Sequence, residues 1–221
     1  MNPHLRKIAL TAHIVFSVGW LGAIVPYLAL AIAGLSSRDA QMVRAAYLSM
    51  EFIGWFVIIP LSLAALVSGI VQSLGTPWGL FRHWWITAKL LLTTGAAVIL
   101  LTHMQAVSRM ARIAADPVWA GADFRDLRVQ LIVHAAGGLL VLLAVTALSV
   151  FKPWGLTSYG RRRASQADLP RLKADAGAES APALSIATPR WARIVGFHAL
   201  ALFVLFVVLH IAGGGLGHHG H

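Results

Sequence analysis

The sequence predicts an all-α polytopic membrane protein: a four-helix bundle made from a duplicated helical hairpin, with a fifth transmembrane helix added. Three observations predict it. The 221-residue chain is 58% hydrophobic and 12% charged, with a mean hydropathy of +0.73, which leaves too little polar surface for a soluble domain. Five stretches, 8–33, 52–74, 84–104, 129–151 and 194–212, reach the roughly 20 apolar residues needed to cross about 30 Å of hydrocarbon. An internal echo also runs at a single offset. Pro77-Trp78-Gly79-Leu80 returns 76 positions later as Pro153-Trp154-Gly155-Leu156, and the same shift lays Leu10 to Ile14 on Ile86 to Leu90, Gly19 on Gly95 and Ser73 on Ser149.

The first stretch follows Arg6-Lys7 and contains Ala31-Ile32-Ala33, which resembles a signal-peptide cleavage site. Its apolar run is much longer than the usual 7–15 residues of a signal core, so it is expected to remain as a helix. The second stretch begins beside Glu51, the one carboxylate adjoining a span, suited to the dipole of a helix start. After it, proline stops the helix and glycine allows the tight turn. The third stretch stays apolar although Lys89 interrupts it. The connection around Asp116-Pro117-Val118-Trp119 can hold a short surface helix. The fourth stretch carries Ala135-Ala136-Gly137-Gly138, small residues that favour close helix contact.

Residues 1–160 thus read as the duplicated domain, with repeats of about 5–80 and 81–156. Hairpins of the same orientation are related by an axis along the membrane normal. Residues 161–190, rich in Ala, Ser, Pro and Asp, read as a flexible linker. Residues 191–212 form the fifth helix, and 213–221 a Gly/His-rich tail ending His218-His219-Gly220-His221, too loose to preorganise a metal.

The formal charge is +10. In a membrane protein, basic loops set topology and touch anionic lipid headgroups, so no nucleic-acid partner is expected. Arg6, Lys7, Arg82 and the basic connection between spans four and five outnumber Arg38, Arg44, Arg109, Arg112, Arg125 and Arg128 on the other side. The positive-inside rule then gives a cytoplasmic N-terminus and an external C-terminus. Trp78, Trp84, Trp85, Trp154 and Trp191 cluster at the cytoplasmic level, as an interfacial aromatic belt does. The chain has no cysteine, which excludes disulfides and thiolate-held clusters. Walker, His-Glu-x-x-His and Gly-x-Ser-x-Gly patterns are missing, as are the paired acids of a hydrolase.

Ionisable groups inside spans are costly and mark function by default. At about 1.5 Å per residue, His13, His198, His83 and Lys89 fall near the cytoplasmic face, and His103, His134 and His210 near the external face. Lys89 and His103, fourteen residues apart, share one helix stripe, as do His13 and Trp20, seven apart. Such residues often do no more than hydrogen-bond a neighbouring helix. As a set they suit haem b, because two neutral imidazoles from facing helices make a six-coordinate electron-transfer site. His13 is the first-choice ligand, with His198 or His134 as partner. His103 with His134 is a second possible pair, and Lys89 a partner for a haem propionate. Electron transfer would imply a redox or other membrane partner. Two alternatives stay open: a copper-type metal permease or accessory subunit drawing on these histidines, with His103, His210 and the tail histidines collecting metal externally and Met104 and Met110 nearby, and a cofactor-free membrane scaffold.

The motifs Ala12-His13, Gly19-Trp20, Ser68-Gly69, the run from Gly75 to Trp85 with Lys89, and Lys152-Pro153-Trp154-Gly155-Leu156 together resemble a widespread family of small bacterial integral-membrane proteins, a domain of unknown function. The resemblance covers about residues 5–160. More distantly, the first-helix histidine and the Trp-x-x-x-Lys pattern of Trp85 and Lys89 are similar to those of the HemJ-type membrane protoporphyrinogen oxidase, a helical bundle that binds haem b. The same helices resemble the membrane part of copper-resistance proteins of the CopD type. These resemblances imply a role for His13 and Lys89. The chain departs from the HemJ pattern in its Pro-Trp-Gly-Leu turns, its fifth helix and its tail.

Overall fold

The computed structural model describes residues 2–75, 83–116, 124–151, 155–159, 161–162 and 166. They form an all-helical bundle in which four helices are long and apolar enough to cross a membrane. The fifth apolar stretch, the tail and most of the linker lie outside the described residues. So do 76–82, 117–123 and 152–154, which hold the first Pro-Trp-Gly-Leu turn and part of the second.

Helix α1 spans Pro3–Ser36. Asn2 caps it, its side-chain oxygen accepting from the His4 backbone N–H at 3.1 Å, and Pro3 occupies the first position, where the missing N–H does no harm. The helix stops where Ser37 turns extended. Asp39 then caps α2, Ala40–Ile53, by accepting from Gln41 N–H at 2.9 Å. This second rod begins three turns before residue 52, the start expected from hydropathy, because capping and helix propensity act without regard to the bilayer edge.

A π-helical turn, Gly54–Ile58, joins α2 to α3, Ile59–Leu74. Its register follows from Pro60, which lacks the N–H that would continue the α ladder, while the Ile59 N–H bonds back to the Gly54 carbonyl. Gly54 itself admits α4: a Cβ there would lie 2.6 Å from the Met104 sulfur.

Helix α4 spans Trp84–Ala115 and α5 spans Arg125–Phe151. Helix α1 packs along α2–α3 on one side and α5 on the other, and α4 packs against the same two from the opposite corner. The result is a ring of four alternating helices. Trp20, Tyr27, Tyr47, Met50, Ile58, Met104 and Leu131 fill its interior. Ile8, Val18, Phe56, Val67, Leu140 and Val150 face outward, an apolar exterior that suits lipid tails rather than water. One isolated antiparallel bridge, His83 to Leu156, ties the start of α4 to the chain beyond α5.

Candidate functional site

His13 lies against α3. Its Nδ1 is 3.1 Å from the Ala65 carbonyl oxygen and 3.1 Å from Ser68 Oγ. The Ser68 hydroxyl already donates to the Ala64 carbonyl at 2.6 Å, so both groups facing Nδ1 are acceptors. Nδ1 therefore carries the proton, and Nε2 keeps its lone pair. This is the tether that commonly orients a metal-ligating imidazole. Gly69 makes it possible, because a Cβ there would stand 3.0 Å from His13 Cε1.

Nε2 makes no hydrogen bond among the described residues, and His13 lines two cavities. The larger, about 320 Å³, runs between α1 and α5. The smaller, about 80 Å³, runs between α3 and α4. His13, Ala65, Gln72, Lys89 and Thr93 line both. The Lys89 ammonium stands 6.0 Å from the centre of the Trp85 ring. Neither the Gln72 amide nor the Thr93 hydroxyl is hydrogen-bonded among the described residues. Among the described residues, no carboxylate lines either cavity. The chamber therefore gathers one positive charge, an amide, several hydroxyls and an imidazole lone pair, a set that can receive a ligand with acidic groups and a metal.

The two cavities match under the 76-residue shift. Leu10, His13, Ile14 and Ser17 of the larger correspond to Ile86, Lys89, Leu90 and Thr93 of the smaller. Leu66, Gly69, Ile70 and Ser73 of the smaller correspond to Leu142, Val145, Thr146 and Ser149 of the larger.

The opposite half of the bundle holds His103 and His134. His103 and His134 come together, as their depths suggested, with ring centres 4.3 Å apart and planes 5° from parallel. His134 Nδ1–H donates to the Gln130 carbonyl one turn back, at 2.8 Å. The rings meet face to face, so their lone pairs do not oppose each other, and a porphyrin does not fit between them in this arrangement. They border a void of about 40 Å³ with Trp20 and Tyr27, whose Nε1 and hydroxyl are buried without a hydrogen-bond partner among the described residues. Trp20 also lines the larger cavity and so separates the two levels.

His134 is not brought to His13. The α5 residues in the His13 chamber lie between 142 and 149, about two to four helical turns further on. His198 and His210 lie outside the described residues. Among the described residues, no three His, Asp or Glu side chains gather as a metal cluster. Gln72, Thr93 and the Ser68 tether escaped sequence reasoning. The repeat offset already paired Ser17 with Thr93, and that was the available signal.

No family model matches the chain, and no curated protein or solved structure shows significant similarity to it.

Proposed function

We propose that this chain is a bacterial inner-membrane protein that binds b-type haem in the chamber between His13 and Lys89, for electron transfer or haem handling. The observation that carries the reading is the Nδ1 tether. It fixes the tautomer and leaves Nε2 without a hydrogen bond among the described residues, on a residue that lines a cavity whose volume falls in the cofactor-site range of about 300–1,000 Å³. His13 would hold the iron, which when bound supplies one-electron chemistry. Lys89, Gln72 and Thr93 would take the propionates, the ammonium gaining a counter-charge that no described lining residue provides. Trp20 would close the inner wall. His198, which the sequence suggests as a second residue to hold the haem, lies outside the described residues. The stacked His103–His134 pair is left out of the haem site.

The matching cavity walls also support a duplicated hairpin, since eight lining positions pair under a shift found in the sequence alone. The His13 and Lys89 positions are those carried by the resemblance to HemJ-type and CopD-type proteins. The excess of basic residues on one side supports a cytoplasmic N-terminus.

A visible spectrum of protein purified after expression with haem supply tests the proposal. A Soret band is expected. A colourless protein with metal-dependent uptake or resistance would favour the copper-type permease. A colourless protein whose His13→Ala variant leaves cellular phenotypes intact would favour a scaffold.

A further inference from the structure

We infer that haem passes sideways between the lipid and His13, through the crevice between α1 and α5. The inference rests on the haem reading above. The repeat builds two crevices onto one centre, but they are unequal. Along the larger, Leu10, Ile14 and Val18 on the α1 lip are 44%, 51% and 61% exposed, and Thr146 on the α5 lip is exposed as well. Along the smaller, between α3 and α4, no lining residue is exposed. Among the described residues, the crevice with an exposed lining is therefore the one between α1 and α5.

Its lining joins two chemistries. Leu10, Ile14 and Val18 are apolar and exposed, whereas the hydroxyls of Ser17 and Ser149, Lys89, Gln72 and His13 belong to partly buried residues. A planar amphiphile dissolved in the bilayer has this polarity, an apolar edge with acids at one side. Haem b is such a molecule, and the Lys89 ammonium, with no carboxylate among the described lining residues, attracts its two acids. Entry from lipid also spares the macrocycle a passage through water. Only ligand exchange at the iron is required, with no bond made or broken within the protein.

The test follows loading of apo-protein in nanodiscs from haem-containing liposomes, read as growth of the Soret band. Val18→Trp and Thr146→Trp fill the lips of the open crevice without touching the His13 tether. Both should slow loading by about ten-fold or more, since a step that needs rearrangement lowers association rates, and both should reach the same final spectrum. Ile70→Trp, in the α3/α4 crevice, and Leu140→Trp, on the lipid face of α5, should load at the parent rate. Equal rates in all variants would overturn the lateral entrance, as would slowing by Ile70→Trp alone. A parent protein that never develops the band would overturn the haem reading itself, and this inference with it.

Discussion

At the residue scale the account turns on how a partly buried imidazole is held. Two acceptors on α3 share one Nδ1–H, so removing the serine leaves the Ala65 carbonyl as the sole tether. Ser68→Ala should therefore weaken haem binding about ten-fold, the lower end of what such supporting contacts contribute, while the helical content stays unchanged. Haem titration with circular dichroism on the same samples checks it; undiminished affinity would show the tether to be idle. Gly69→Val copies onto α3 the residue that α5 carries at the equivalent Val145. The new branch would meet His13 at the position where even a Cβ is 3.0 Å from Cε1. It should lower haem occupancy more than Ser68→Ala does, measured as the ratio of Soret to protein absorbance. Lys89 is the complementary case. A cation inside a span is retained at a cost of several kcal/mol, and Lys89→Met should stabilise the apo-protein to heat while lowering haem affinity. Both effects are measurable on one preparation, and a loss of apo-protein stability would contradict the role given to the charge.

At the element scale, the second rod joins capping, a π turn and a close helix crossing. Gly54 meets the fully buried Met104, so Gly54→Val should destabilise the bundle by about 1–3 kcal/mol through overpacking. Met104→Ala in the same chain should recover part of that loss, because the two residues share one contact. Thermal unfolding of the two single variants and the double variant gives the coupling, and strict additivity would contradict the crossing. The same rod shows where the sequence was legible. That α2–α3 is a membrane-length helix followed from composition, because about 20 apolar residues permit little else in a bilayer. Where it begins did not follow from hydropathy: Asp39 sets the start through a cap, and polar Gln41, Arg44 and Glu51 continue the helix beyond the apolar stretch. His13 and Lys89 stood out because both are expensive to bury. Gln72 and Thr93 did not, since convergence across helices depends on rotation and packing that a single span does not record. Depth along the helices anticipated the meeting of His103 and His134, but not their stacking.

At the scale of the whole molecule, the ring of four helices encloses two levels of imidazoles separated by Trp20, with the larger cavity at the level of His13. If the repeat is a true duplication, that level retains the polar centre of both halves, with His13 and Lys89 as its diverged pair. Topology is tested on the native background, since the chain has no cysteine. Ser37→Cys should react with a membrane-impermeant maleimide on intact spheroplasts, and Asn2→Cys only after lysis. The reverse pattern would invert the orientation and place the His13 chamber near the external face. The central claim is that the His13 imidazole holds a haem, and the most direct measurement compares visible spectra of the parent, His13→Ala and His134→Ala at equal protein abundance. The account predicts a Soret band in the parent and His134→Ala and its loss in His13→Ala. A band that survives His13→Ala undiminished would contradict it.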